Sequence, residues 1–321
     1  MYTSNPVALR EVSRYANGND KLEETMTQPH IGFIGLGLMG GAMVSRLQDQ
    51  GYAVTVLGNR DRTEIDKAIA RGATEATSAR DVAANCDVVL LCMGTSEHVE
   101  GRMRGDDGVI AGMKPGQIVI DFGTSLPGST RALGEEVAAA GGTYLDAPIG
   151  RTPTQAYDGK LNLMCSGDKA AFDQVLPVLN DLGENVFHLG QLGNGHAIKL
   201  INNFFGQTIG AALGEAFTMG DIVGVDRRQL FDVIFAGPLG SPFMNLWSAY
   251  ALEGDPNKLA FSIRNATKDV GYYDQMARDA GAPSIMAAGA LGALREAVDQ
   301  GRGDAMVPEM LDYFADRLKP S

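Results

Sequence analysis

The sequence predicts an α/β protein in which a doubly wound parallel sheet over residues 29–191 is followed by an all-helical domain over residues 192–321. Three observations carry that expectation. Short apolar runs alternate with amphipathic stretches from residue 30 to about residue 190, a glycine-rich turn follows the first run, and no strand-like run appears beyond residue 192. Near-continuous apolar strands separated by helix-length segments are what a parallel sheet covered on both faces requires.

Taken in order, the strand candidates are residues 31–34 (IGFI), 53–57 (AVTVL), 87–92 (DVVLLC), 117–121 (QIVID), 143–146 (TYLD) and 161–165 (LNLMC). Stretches 39–50 and 128–140 read as helices between them, and the turn signals KPGQ and AAGGT fall where strands should begin. Residues 194–223 suit one long interdomain helix, on the order of 40 Å at about 1.5 Å per residue. Beyond it, helices should break at Gly237-Pro238, Ser241-Pro242, Asp255-Pro256 and Ala282-Pro283, because proline lacks the amide hydrogen a helix interior uses. Residues 1–28 mix both charge signs without a signal-like apolar run. They read as a mobile tail, or as an upstream start preceding Met26.

The chain has 321 residues, 45% of them hydrophobic, enough to bury two cores. Its 39 acidic residues against 27 Lys and Arg give a net charge of −12, which argues against nucleic acid or an anionic membrane as partner. A small anionic substrate remains open, since a few local cations suffice. No run approaches a membrane span, so a soluble, cytoplasmic protein is expected. Cys86, Cys92 and Cys165 fit no zinc spacing and read as buried free thiols in a reducing compartment; the four histidines form no metal pattern, and no metal is expected. The apolar helical domain suggests a homodimer or homotetramer.

Gly35-Leu36-Gly37-Leu38-Met39-Gly40 has GxGxxG spacing, after a strand and at the start of a helix. Such glycines let backbone N–H groups approach a pyrophosphate, with the helix N-terminus adding partial positive charge, so a Rossmann-type dinucleotide site is expected. The second strand should then end in an acid if the cofactor is NAD(H). Gly58 stands there, followed by Asn59, Arg60, Asp61 and Arg62. That favours NADP(H) over NAD(H), with Asn59, Arg60 and Arg62 facing the 2′-phosphate. A solvated turn in which Asp61 offsets an arginine is the alternative.

Lys199 and Asn203 are four residues apart on the long helix and share a face. At a domain junction, such a lysine could protonate a carbonyl oxygen as hydride arrives, with the amide orienting substrate. Gly206, Gly210 and Gly214 continue at four-residue spacing and should let another element approach closely.

Together these motifs resemble the β-hydroxyacid dehydrogenase family, which includes 3-hydroxyisobutyrate dehydrogenases and tartronate semialdehyde reductases. The resemblance spans roughly residues 29–318 and runs through GFIGLGLMG, DFGTSLP (121–127), LDAPIG (145–150), GHAIKLINN (195–203) and FSIRNATKD (261–269) in order. It implies Lys199 as catalytic acid/base with Asn203 as its partner, Thr124 near nicotinamide and substrate, and Lys268 reaching the cofactor. It also places Met93-Gly94 beside the cofactor, where the family has Leu-Pro. Two departures stand out. Gly123 replaces a serine that usually contacts a substrate carboxylate, and the substrate loop runs DAPIGRT instead of DAPVSGG. The latter form resembles the sulfolactaldehyde reductase branch, so Gly123, Thr124, Gly150, Arg151 and Thr152 are expected around a sulfonate or phosphonate. The alternative is Arg151 pointing to solvent with Thr152 capping a turn.

The expectation is an NADPH-preferring reductase of a short oxo-acid, reversible as a hydroxyacid dehydrogenase. Its rivals are an ordinary carboxylate substrate, an imine reductase, and a non-catalytic nucleotide-binding module. Retention of both Lys199 and Asn203 counts against the last.

Overall fold

The computed structural model describes residues 28–58 and 60–319. The expected N-terminal tail therefore lies, but for Gln28, outside the described residues, as does Asn59. Nine strands are described: β1 (Ile31–Ile34), β2 (Val54–Leu57), β3 (Thr74–Ala76), β4 (Val88–Leu91), β5 (Ile118–Asp121), β6 (Thr143–Asp146), β7 (Ile149–Gly150), β8 (Leu161–Cys165) and β9 (Gly183–His188). The first six form one sheet, parallel throughout, in the order β3-β2-β1-β4-β5-β6. The order reverses between β1 and β4, the place where open α/β sheets leave a crevice at their carboxyl ends.

Before β7 come the helices α1 (Leu38–Asp49), α2 (Thr63–Ala70), α3 (Ala79–Asn85), α4 (Ser96–Met103), α5 (Val109–Gly112) and α6 (Pro127–Ala139). Side chains alternate across the sheet: Val88 and Leu90 join one buried cluster, Val89 and Leu91 the other. Helices covering both faces are why β1, β2, β4 and β5 read as near-continuous apolar runs, buried at every position.

One expectation needs correction. Residues 161–165 are a strand, but not of the parallel sheet: β8 sits between β7, antiparallel to it, and β9, parallel to it, in a separate three-stranded sheet. The chain turns out of the large sheet after Asp146, which bridges Ser166 instead of continuing. Helix α8 (Lys169–Leu182) packs on this second sheet, while α7 (Pro153–Tyr157), in the connection between β7 and β8, packs against α1.

The long helix α9 spans Asn194–Val223, as its pattern predicts. Around it pack α10 (Arg227–Ala236), α11 (Pro242–Glu253), α12 (Ile263–Asp279), α13 (Ala287–Ala297) and α14 (Met310–Arg317). Gly210 and Gly214 face the buried Trp247 of α11, and Gly214 also faces Phe314 of α14, so the small-residue stripe admits neighbouring helices. Phe204 of α9 stacks on Tyr273 of α12 with ring centroids 4.0 Å apart. No described helix is long and apolar enough to cross a membrane.

Candidate active site

The turn after β1 is built by close approach. Gly35 has φ +102°, and a Cβ there would run into the Cys92 carbonyl and come 2.8 Å from the Met93 sulfur. A Cβ on Gly40 would enter the Gly35 carbonyl. At Gly37, by contrast, a Cβ would meet nothing within 4 Å. Two glycines thus serve packing, while the middle one leaves open space in front of the α1 N-terminus, where no side chain caps the helix. Leu36 and Met39 pack against the sheet core, and Leu38 is exposed at the mouth. Free N–H groups and a helix dipole facing open space suit a phosphate.

Between the two domains lies a cluster of charged groups. Asn203 Nδ2 donates to Asp269 Oδ2 at 2.6 Å, and Lys268 Nζ lies 2.9 Å from Asp269 Oδ1, an ion pair without hydrogen-bond alignment. Lys268 Nζ also donates to the carbonyls of Gly94 (2.8 Å) and Thr124 (3.2 Å). One lysine on α12 therefore ties together the loops after β4 and β5. Lys199 is half-buried in the same region, and its pKa is pushed below that of an ordinary lysine, first by burial and then by the Lys268 charge, against the pull of Asp269. A desolvated lysine whose charge is tuned by a neighbouring carboxylate can exchange a proton near neutrality more readily than a solvated one.

Sequence reasoning gave Asp269 no role. A signal was present: Ile263, Ala266 and Val270 mark the buried stripe of α12, and Asp269 lies beside it. An acid on an apolar face needs a partner. Asp269→Asn should remove the charge that holds Lys199 up and so lower its pKa further. In a pH–rate profile, reduction should then decline at lower pH than in the wild type; an unmoved profile would show that Asp269 does not act on Lys199.

Two other acids set the backbone. Asp146 and Asp121, fully buried and paired across β6 and β5, sit at the carboxyl ends of their strands. Asp146 accepts from the N–H groups of Gly193 and His196, each at 2.8 Å, and so caps α9 from outside the helix. Ser166 Oγ takes the Gly195 N–H at 2.9 Å. Asp121 accepts from the Gly123 N–H (2.8 Å) and the Ser125 hydroxyl (2.9 Å), which shapes the loop carrying Thr124. His196 lies between the two acids, its ring nitrogens 3.7 Å from Asp121 and 3.8 Å from Asp146, and shares a 2.7 Å hydrogen bond with Thr130. The glycine at 123 also has a physical reason, since a Cβ there would stand 2.9 Å from the Met93 carbonyl and from Asp121 Oδ1.

The remaining residues singled out from sequence are placed less simply. Arg60 is exposed, whereas Arg62 is already engaged by two carboxylates, Asp66 at 2.9 Å and Glu75 at 2.5 Å. Gly150 pairs with Asn162 at the edge of the small sheet. Arg151 is the one non-glycine residue with left-handed φ (+80°) among the described residues, a conformation costing roughly 1–2 kcal/mol. Its guanidinium donates to the Lys160 carbonyl at 2.7 Å and pairs with Glu184. Thr152 is the N-cap of α7, and its N–H and hydroxyl both donate to Gln155 Oε1. Cys86 and Cys165 are buried but Cys92 is only half-buried, and burial pushes the Cys92 and Cys165 thiols up to about 12.

Comparison with known proteins fits this geometry. Residues 30–190 match the NAD binding domain of 6-phosphogluconate dehydrogenase, and residues 193–314 match the NAD-binding domain of NADP-dependent 3-hydroxyisobutyrate dehydrogenase. An NAD-dependent L-serine dehydrogenase of Pseudomonas aeruginosa is 30% identical over 88% of this chain and 97% of its own length. The chain belongs to the β-hydroxyacid dehydrogenase family. Among solved structures of this type, 3-hydroxyisobutyrate dehydrogenase of Mycobacterium tuberculosis with L-serine has a TM-score of 0.78 at 26% identity, covering 89% of this chain and 99% of that one. The human cytokine-like nuclear factor N-PAC is 29% identical over 83% of this chain, and the chain spans about half (48%) of that relative's length.

Proposed function

We propose that the protein is an NAD(P)-dependent hydroxyacid dehydrogenase that interconverts a short oxo-acid and its hydroxy-acid. The observation that carries this reading is the half-buried Lys199 on α9, one turn from Asn203, which donates to Asp269 of α12 beside Lys268 at the junction of the two domains. Lys199 delivers a proton to the carbonyl oxygen during reduction and takes it back during oxidation. Asn203, fixed by Asp269, orients the substrate. When bound, the nicotinamide supplies or accepts the hydride. The open N-terminus of α1 would hold its pyrophosphate, and Lys268, with Met93, Gly94 and Thr124, would line the nicotinamide end. The relatives named for L-serine and 3-hydroxyisobutyrate support a small acid as substrate.

NADP(H) is the preferred cofactor in this reading, because no acid stands at Gly58 and Arg60 is exposed beside it. Steady-state kinetics should give a higher kcat/KM with NADPH than with NADH, and Arg60→Ala should narrow the gap by roughly tenfold, the scale of one charge-assisted contact. Equal or better use of NADH contradicts the preference.

For the substrate's far end, the loop sequence GRT supports a sulfonate or phosphonate held by Arg151 and Thr152. The pairing of Arg151 with Glu184 and the capping role of Thr152 favour a second reading, an ordinary carboxylate near Thr124. Arg151→Ala decides between them. If Arg151 leaves Glu184 to bind substrate, kcat/KM on a sulfonate or phosphonate aldehyde should fall roughly tenfold to a hundredfold while a neutral aldehyde is unaffected. Equal losses on both assign Arg151 to the loop alone. The apolar residues exposed along α9, Ile201, Phe205, Met219 and Val223 among them, support a homo-oligomer.

A further inference from the structure

The end of β2 lacks the acid that would receive the adenosine ribose, yet an acid occupies the space. Glu75 lies on β3 opposite Val56 in the register, and its side chain reaches forward past the strand end. A Cβ on Gly58 would run into Glu75 Oε1 and stand 2.8 Å from Arg62 Nη1. Gly58 is therefore the residue that leaves room for the Glu75–Arg62 pair. A side chain at 58 would push the ends of this pair aside.

The pair is also well fixed. Arg62 donates to both Glu75 oxygens, at 2.5 and 3.0 Å, and through Nε and Nη2 to Asp66 Oδ1, at 3.2 and 2.9 Å. Glu75 is held ionised, its pKa lowered first by the Arg62 hydrogen bond. Two carboxylates on one guanidinium leave this corner with a local excess of negative charge. The Glu75 side chain is still 34% exposed, so its carboxylate can meet a ligand. A carboxylate fixed beside the strand end accepts hydrogen bonds from a ribose diol and repels a 2′-phosphate.

We propose that Glu75 is the specificity-determining acid of the adenosine subsite: moved from β2 to β3, it accepts from the ribose hydroxyls of NAD(H) and, by occupying Arg62, limits the preference for NADP(H). This rests on the dinucleotide-binding reading above, and it assigns to β3 a role usually given to β2. Arg60 then favours the phosphate and Glu75 the diol, so the preference for NADP(H) is smaller than Arg60 alone would give.

The test is direct binding of NADH and NADPH, followed by nicotinamide fluorescence, which needs no knowledge of the substrate. Glu75→Gln keeps the side-chain size, removes the charge and loosens Arg62. It should weaken NADH and tighten NADPH, each by about tenfold, the scale of one charge-assisted hydrogen bond. Adding Gly58→Asp to Glu75→Ala should restore NADH binding by returning the acid to β2, which separates a lost acceptor from a damaged strand. If Glu75→Gln changes both affinities by the same factor, Glu75 only anchors β3 and the proposal is overturned, with the dehydrogenase reading intact. Wild-type protein that binds neither dinucleotide overturns that reading and this inference with it.

Discussion

Lys199→Ala is expected to lower turnover in both directions by roughly 10²–10⁴-fold, the usual cost of losing a positioned proton donor. Cofactor binding should survive, because the turn from Gly35 to Gly40 is untouched. The pH dependence of the wild type carries a sign that follows from chemistry. In the proposed mechanism reduction requires the ammonium form of Lys199, and oxidation requires the amine. Since burial lowers the pKa of Lys199, the rate of reduction should fall as pH rises through that lowered value, below the range of an ordinary lysine, while oxidation rises over the same interval. In Lys199→Ala both limbs should vanish. A loss of less than about tenfold, with the limbs retained, would assign the proton to another group.

Asp146→Ala should destabilise the fold by about 3–5 kcal/mol, because it leaves the buried N–H groups of Gly193 and His196 and the Ser166 hydroxyl without their acceptor. The effect reaches function through geometry. Asp146 holds the first turn of α9, and Lys199 lies three residues beyond His196, so a frayed start displaces Lys199. Asp146→Asn keeps one acceptor and should lose less. Urea unfolding measures the difference, and a cost below about 1 kcal/mol for the alanine variant would mean that α9 is held in place by other contacts.

The extent of sequence legibility follows the same physics. Strands buried on both faces announce themselves as apolar runs, which is why β1, β2, β4, β5 and β6 could be read. The strand β3 is TEA, two of its three residues exposed, and carries no such run. The strand β7 has two residues, and β9 (GENVFH) alternates too weakly to stand out. The same gap hid part of the site. With no apolar run to mark β3, nothing in the sequence brings Glu75 beside Gly58, and Arg62 reads as open to a phosphate. Lys199 and Asn203 were legible because helical spacing relates them directly. Asp269 was not given a role, since its partner Asn203 is 66 residues away and only packing of α12 on α9 joins them. In LDAPIG the motif was visible, but the capping role of Asp146 depends on a contact 47 residues further along the chain.

In the proposed reaction, Lys199 at the domain junction gives up a proton as a nicotinamide reduces a carbonyl. The most direct measurement is loss of reduced-nicotinamide absorbance when wild type and Lys199→Ala, both shown to bind the cofactor, are mixed with a panel of short oxo-acids. The wild type should turn over at least one oxo-acid, with the variant slower by at least about a hundredfold on the same substrate. Tight cofactor binding without turnover on any oxo-acid by the wild type, or equal turnover by both proteins, would contradict it.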